Sequence, residues 1–252
     1  MLPVLEGIIS RRILLNFRCD PATAQSLIPH PLEVETHRGF AIAGVCLIRL
    51  EQLRPKGLPK IVGVSSENMA HRIAIRYPTD EGMKPGVFIW RRETDQKLVQ
   101  MLGGRAFPGV HDAAQFHVSE NAGQLTMEVR TEGGQTDVAF GAKYGTDWRP
   151  TAAFSDFPEV SEFFRKGDCG FSCSLRGDKL EGMQLRTLRW EMSPLEVQLK
   201  RCVFFANNAR FPAATVEFDC GLLMRGLPHE WHELNSVPEF ASSHSTAIEH
   251  SS

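Results

Sequence analysis

The stretch from Lys84 to Val118 gathers residue types that could do chemistry. Arg91 and Arg92 follow an apolar run, Arg105 precedes a Phe-Pro-Gly turn, and His111 lies just past that turn. An Arg guanidinium donates two parallel hydrogen bonds to a planar carboxylate, and a His exchanges a proton near neutral pH. These residue types suit a small carboxylate ligand. Consecutive residues of a strand face opposite ways, so at most one of Arg91 and Arg92 faces the interior.

Metal and nucleotide sites are not predicted. Cys169 and Cys173 are four residues apart, which on a strand separates them by about 13 Å, too far for one zinc. His229 and His232 are three apart, whereas the zinc-protease helix places its two histidines four apart. The sequence has no P-loop, no G-x-G-x-x-G and no G-x-S-x-G. We therefore expect no metal and no cofactor.

Composition limits the partners. The chain has 252 residues and a net charge of −2, so no strong field draws it to nucleic acid or to an anionic membrane. Its first residues resemble no signal peptide, and no apolar run approaches the roughly 20 residues that span a bilayer. The 6 cysteines are therefore expected to be reduced thiols in a cytoplasmic protein. The oligomeric state is left open, and a homo-oligomer is one alternative.

The elements that must position these residues are mostly strands. Asp20-Pro21 and Ser155 or Asp156 predict helix starts, and Thr94 or Asp95 predicts a helix through Leu102. Alternating or continuous apolar runs predict strands over the following ranges: 12–19, 40–50, 65–77, 86–91, 114–118, 125–130, 136–144, 170–175, 183–192, 195–206 and 214–224.

Because strands mostly follow one another without a helix between them, a βαβ sheet is excluded. The prediction is a mainly β (α+β) fold, a large antiparallel β-barrel with a few short outer helices. One domain is expected over 1–234, and a polar, Ser-rich, disordered tail over 235–252.

Three segments, in order, resemble the acetoacetate decarboxylase superfamily. The similar residues are Glu67 followed by Arg72 and Tyr77, then Pro85-Gly86-Val87-Phe88 leading into Asp95, then Gly104-Arg105-x-Phe107-Pro108. The strongest resemblance is to a bacterial branch known only as a domain of unknown function. It implies a wide antiparallel barrel with a central pocket, in which Glu67 is a pocket carboxylate and Arg105 matches the family's Gly-Arg.

The chain departs from that superfamily at the residue that carries its chemistry. The decarboxylase uses a pair of lysines, the first of which forms a Schiff base, where this chain has Gly109 and Val110. No lysine occurs between Leu98 and Ala142. Imine formation needs an amine that is neutral near pH 7, so we expect no lysine-imine decarboxylation.

Three functions fit these observations. The first is an enzyme, lyase- or hydratase-like, acting on a small organic acid or carbonyl compound. In it Arg105 holds the carboxylate, His111 or Glu67 moves a proton, and Trp90 and Arg91 contact the ligand. The second is a binding or sensing protein with the same pocket, and the third is an oligomeric scaffold with a solid interior. A pocket shared by His111 and Glu67 would favour the enzyme, and a pocket faced only by arginine would favour binding.

Overall fold

The computed structural model of the chain describes residues 3–96 and 110–237. These residues form a mostly β molecule with one 13-stranded sheet. The strands are β1 (Leu5–Cys19), β2 (Glu33–Val34), β3 (Thr36–His37), β4 (Phe40–Pro55), β5 (Val64–Thr79), β6 (Gly82–Thr94), β7 (His111–Asn121), β8 (Gln124–Thr131), β9 (Thr136–Lys143), β10 (Cys169–Cys173), β11 (Leu180–Thr187), β12 (Ser193–Cys202) and β13 (Val216–Val237).

Three α-helices of the described residues are short: α1 (Pro21–Ser26), α2 (Phe157–Lys166) and α3 (Val203–Ala206), with a 3-10 turn at Lys60–Val62. Two of the three predicted helix starts are confirmed, with Asp156 as the cap of the second. The Asp20 side chain accepts a hydrogen bond from Thr23 N at 2.7 Å, and the Asp156 side chain accepts one from Glu159 N at 2.8 Å. Each satisfies a backbone donor that the first helical turn leaves free.

The sheet closes in two rings within the described residues. The larger ring runs β6-β7-β8-β9-β12-β13-β1-β4-β5 and closes through the β5–β6 pairing. The smaller ring runs β10-β6-β5-β4-β1-β13-β11 and closes through the β10–β11 pairing. Strands β13, β1, β4, β5 and β6 belong to both rings, and we call them the shared wall.

The shared wall is buried on both faces, and alternate residues therefore face different rings. On β5, Met69, Ile73 and Ile75 belong to the main hydrophobic core, which includes residues of β8 and β9. Ala74 belongs to a second cluster with Phe164 of α2 on the opposite face. Since Arg72 lies two residues before Ala74, it faces the smaller ring.

A mainly β fold is confirmed, but its sheet is mixed. β6 pairs in parallel with both β7 and β10, whereas the other pairings are antiparallel. The prediction of one antiparallel barrel is accordingly refined to two rings that share a wall. The prediction of a strand over 195–206 is wrong at its end, because Val203–Ala206 is helical.

Some predicted boundaries also differ from the structure. β13 continues to Val237, far beyond the predicted end at Met224 and past the predicted start of the tail. β6 continues to Thr94, where the predicted helix would begin, and most of that helix lies outside the described residues. Residues 238–252 of the predicted tail also lie outside them. No helix of the described residues is long and apolar enough to cross a membrane.

Candidate functional site

A cavity of about 140 Å³ lies inside the smaller ring, against the shared wall. Its walls are mainly apolar, with a few polar and charged side chains among them. The apolar lining comprises Cys46, Ile48, Leu50, Leu53, Met69, Ala70, Val87, Ile89, Met183, Leu185 and Trp231. The polar and charged lining comprises Arg12, Ser66, Asn68, Arg72, Arg92, Glu93, His111 and Asp168. An apolar enclosure with a few converging polar groups is the usual form of a small-molecule site.

Arg72 is the most deeply buried of the arginines in this cavity, with 3% of its surface exposed. Its Nη2 donates a hydrogen bond to Asn16 Oδ1 at 2.8 Å, and its guanidinium lies 5.0 Å from the centre of the Phe164 ring. Its Nε is buried and has no hydrogen-bond partner. A buried donor without a partner costs free energy that a ligand oxygen would recover.

Arg12 and Arg92 bring two more guanidinium groups to the same cavity. Within the described residues, Arg12 donates hydrogen bonds to two weak sulfur acceptors, Cys46 Sγ at 3.4 Å and Met224 Sδ at 3.9 Å. Arg92 donates a hydrogen bond to Ser172 Oγ. These partners are uncharged, so they fix the directions of the side chains without neutralising them.

No ion pair joins Arg12, Arg72 or Arg92 to a carboxylate of the residues that the structure describes. Glu93 and Asp168 also line the cavity, but each is engaged elsewhere. Glu93 accepts a hydrogen bond from Arg91, and Asp168 Oδ2 accepts one from Gln184 at 2.9 Å. Three guanidinium groups thus line the cavity against two carboxylates, one of which is paired with Arg91, so positive charge is in excess.

Burial acts on these guanidinium groups strongly. It lowers the pKa of Arg72 and the pKa of Arg92 to about 10 each. Both values remain far above neutral pH, so both side chains are charged in an apolar setting. Since an uncompensated buried charge is destabilising, an anion in the cavity would stabilise this arrangement.

His111 is the one predicted catalytic residue that lines the cavity in the described structure. It begins β7, where it is the direct register partner of Arg92 on the parallel strand β6. This pairing brings an imidazole beside a cavity guanidinium.

A second, larger cavity adjoins the first. It has a volume of about 450 Å³ and lies between α2 and the strands β5 and β6. The two cavities share Arg12, Arg72, Val87 and Gly167. The arginines thus stand where the inner cavity meets the space beneath α2, which offers a route for a ligand.

Glu67 lies in the larger ring, where it forms an ion pair with Arg11. Both of its carboxylate oxygens accept hydrogen bonds from Arg11 Nη2, at 2.8 and 2.9 Å, and 9% of Glu67 is exposed. Its pKa is raised by burial, and the neighbouring Arg11 opposes that rise. The structure does not bring Glu67 to the cavity that His111 lines.

Arg91 and Trp90 also face away from that cavity. Arg91 bonds to Glu93 and to Asp137, on the side of β6 opposite to the Arg92–Ser172 contact. Trp90 Nε1 donates to Leu27 O at 2.8 Å. Arg105 lies outside the described residues. The assignment of these residues as ligand contacts stays a prediction.

The Cys169 and Cys173 pair and the His229 and His232 pair belong to no metal-binding cluster of the described residues. The described residues contain no group of three or more His, Cys, Asp or Glu side chains placed to hold a metal ion. His229 and His232 lie on β13 instead of a helix, and burial lowers the pKa of His229 to about 4. His229 is accordingly a neutral interior side chain.

Sequence reasoning missed the arginines that the structure brings together. Arg12 and Arg72 each stand inside an apolar strand, and a charged residue there is rarely buried without a partner. The signal was the face of β5 that carries Ala70, Arg72 and Ala74. Small residues on both sides of an arginine are typical of a covered face, whereas exposed faces usually carry larger polar side chains.

The fold is similar to that of acetoacetate decarboxylase-like proteins. The acetoacetate decarboxylase of Legionella pneumophila matches with a TM-score of 0.58 and 14% identity, over 93% of this chain and 88% of that one. An acetoacetate decarboxylase-like enzyme of Sphingomonas wittichii RW1 matches with a TM-score of 0.59 and 14% identity, over 94% and 93%. The enduracididine biosynthesis enzyme MppR matches with a TM-score of 0.56 and 11% identity, over 93% and 86%. At such identities the similarity establishes the fold alone.

The chain belongs to the family DUF2071, described as an uncharacterized conserved protein (COG2071), whose profile matches residues 9–216. No curated protein sequence matches the chain. The resemblance noted in the sequence is thereby confirmed at both levels, the superfamily fold and the family of unknown function.

Proposed function

We propose that this chain binds a small organic carboxylate in the cavity inside the smaller ring. The observation that carries the proposal is the group formed by Arg12, Arg72 and Arg92, which lines an apolar enclosure and lacks a charged partner among the described residues. A carboxylate would supply both the missing negative charge and hydrogen-bond acceptors.

Chemistry on the bound acid is a second candidate, and His111 favours it. Its side chain lines the cavity beside Arg92, so a ligand carboxylate held by arginine would place neighbouring carbon atoms near the imidazole. A neutral imidazole accepts a proton and an imidazolium returns one. In this scheme Glu67 maintains the larger ring, and proton transfer at the ligand belongs to His111.

A structural neighbour supports a small carboxylate as the ligand class. The enzyme MppR, which shares the fold, has been solved in complex with pyruvate, at a TM-score of 0.53 to this chain. None of the described residues that line the inner cavity is a lysine. The predicted chemistry therefore binds the acid through arginine and proceeds without an imine.

The test is a thermal-shift and calorimetric screen of acetate, pyruvate, butyrate, glutarate and their neutral amides. A ligand at about a hundred times its Kd adds about 2.7 kcal/mol of stability, which raises Tm by roughly 5 to 10 °C for a chain of this size. We expect such shifts with carboxylates and none with amides. An equal response to the amides, or no response to any acid, contradicts the proposal.

Two variants locate the binding. Arg12→Met removes a guanidinium whose hydrogen bonds within the described residues go to sulfur atoms, so the fold should persist while the carboxylate shift is lost. Arg186→Met serves as the matched control, because Arg186 is exposed and contacts Gln184. Equal shifts in both variants would place the carboxylate elsewhere.

Borohydride trapping separates the two kinds of chemistry. After mixing with acetoacetate or pyruvate and borohydride, we expect the intact mass to remain unchanged, because the sequence lacks the lysine pair. A stable adduct would show that a lysine such as Lys97 or Lys143 has taken over the imine step.

A further inference from the structure

The arginines of the inner cavity are held on two opposite sides of the smaller ring. Arg72 donates to Asn16 on β1, and Arg92 donates to Ser172 on β10. Around the smaller ring, β6, β5 and β4 separate β10 from β1 in one direction, and β11 and β13 separate them in the other. The two guanidinium groups are therefore anchored on facing walls.

Strand register places the two anchors at one height in the ring. Asn16 pairs with Gly44, Gly44 with Arg72, and Arg72 with Ile89. On the far side, Ser172 Oγ donates to Ile89 O at 3.1 Å. A line from one anchor to the other thus crosses the ring and does not run along its axis.

The surroundings of the two guanidinium groups differ. Arg12 accompanies Arg72, and the charge of Arg12 contributes to the lowered pKa of Arg72. Arg12 and Arg72 line both cavities, whereas Arg92 lines only the inner one, where the charge of Glu181 opposes the lowering of the Arg92 pKa by burial. The positive charge is accordingly concentrated at two separate poles, with Arg12 and Arg72 at one and Arg92 at the other.

Most of the remaining lining is apolar, although Glu93 and Asp168 also contribute carboxylates. Cys46, Ile48, Ala70, Ile89 and Met183 line the same cavity, and none of them carries a charge. A ligand with one charged end would neutralise one pole and leave the other unpaired. A ligand with two charged ends and a short hydrocarbon centre matches both poles and the wall between them.

We propose that the ligand of this cavity is a short dicarboxylate, with one carboxylate held by Arg12 and Arg72 and the other by Arg92. This inference rests on the proposed carboxylate-binding function and specifies its ligand class. Arg92 then determines specificity, because only a ligand with a second carboxylate forms an ion pair with it.

The test compares glutarate with monomethyl glutarate, which has the same chain and one charge fewer, by calorimetry. We expect glutarate to bind at least about tenfold more tightly to the unchanged protein, in keeping with one added charge-assisted pair. In Arg92→Met, glutarate should weaken to the level of the monoester, while monoester affinity should change less than about threefold. Succinate and adipate establish the preferred length.

The outcomes separate this inference from the proposed function. Equal binding of glutarate and its monoester at the arginine cavity overturns the dicarboxylate inference and leaves carboxylate binding intact. No binding of any carboxylate overturns both. Arg92→Lys supplies a check on folding, because it keeps the charge: it should retain part of the preference for glutarate that Arg92→Met loses.

Discussion

The buried pair of Arg11 and Glu67 shows how much the role of a residue depends on its partner. Glu67 stands on the face of β5 that belongs to the larger ring, and a single guanidinium nitrogen of Arg11 contacts both of its oxygens. A carboxylate so engaged is committed to structure, because removing either partner leaves the other charge buried and unpaired.

Glu67→Leu should therefore destabilise the fold by about 3 to 5 kcal/mol, and Arg11→Met combined with Glu67→Leu should recover much of that loss. Urea unfolding of the two proteins measures the difference. Glu128→Leu is the control, since the Glu128–Arg130 pair is exposed and should matter far less. If Glu67→Leu kept full stability and instead abolished the carboxylate response, Glu67 would belong to the site after all.

His229 provides a pH-dependent test at the same scale. Its pKa is about 4 in the fold and about 6.5 in an unfolded chain, chiefly because of burial. The unfolded state therefore binds more protons between these values. The contribution of His229 to the free energy of unfolding is fully present above about pH 6.5 and decreases as the pH drops towards 4. At pH 5 the loss is about 2 kcal/mol.

His229→Leu should remove that part of the pH dependence, whereas His117→Gln, at an exposed position, should keep it. Unfolding free energies at pH 7.5 and pH 5 give the comparison. An unchanged pH dependence in His229→Leu would show that His229 is not the neutral interior group described above.

From the residue types, the sequence analysis predicted a small carboxylate ligand and named one residue that lines the candidate site. His111 was identified by its place after the turn, and it lines the cavity. Arg12 and Arg72 were not proposed as ligand contacts, because the burial of an arginine depends on what covers its strand. That cover comes from α2, which lies some ninety residues further along the chain.

At the scale of elements, local chemistry and most apolar runs were predicted well, and one apolar run was assigned wrongly at its end. Asp20 was identified as a helix cap, and Asp156 as one of two candidates with Ser155, because a cap depends on a side chain and the next few backbone donors. Val203–Ala206 was predicted to continue a strand but is helical. A short apolar run carries no period that distinguishes a strand from a helix.

At the scale of elements, Gly44 allows strands β1 and β4 to approach each other closely beneath the Arg72 guanidinium. A Cβ there would lie 2.4 Å from Leu15 O and 3.3 Å from Asn16 Oδ1. Since the first contact is with backbone, a side chain at this position cannot be accommodated by a rotamer change.

Gly44→Ala should cost more than about 2 kcal/mol in unfolding free energy. Gly141→Ala is the matched control, because a Cβ at that strand position meets nothing within 4 Å and should be neutral or slightly stabilising. Thermal unfolding of both variants measures this. Equal stability of the two would mean that the β1–β4 spacing is looser than the structure describes.

At the scale of the whole molecule, the shared wall joins two enclosed spaces within one sheet. β1 is paired along nearly its whole length on both sides, with β4 and with β13. The pairing between β6 and β10 covers only two positions, Gly170 with Val87 and Phe171 with Phe88, in the described residues. The smaller ring is therefore weakest where β10 meets β6.

Hydrogen exchange should reflect this difference. Amides of β1 between Ile13 and Leu15 should exchange only through global unfolding, and the β10 amides that face β6 should open at least about tenfold more often. Mass spectrometry of exchanged peptides measures both. Equal protection of the β1 and β10 amides would contradict a smaller ring that opens where β10 meets β6.

The two-ring arrangement could not be predicted from sequence. A count of strands separated by turns indicated a β fold, but ring closure depends on pairings such as that of β11 with β13. The C-terminal half of β13 carries Gly226 and Pro228, which read as a strand end although the strand continues through them. The cavity exists only because those late residues return to β1 and β11.

The central claim is that the arginines of the smaller ring, which form no ion pair with a described carboxylate, hold a carboxylate ligand. The most direct test is a crystal structure of the protein grown with glutarate at saturating concentration. The account predicts a carboxylate within hydrogen-bond distance of Arg12 and Arg72, and a second one at Arg92. A cavity free of glutarate at that concentration, or glutarate bound elsewhere on the molecule, would contradict it.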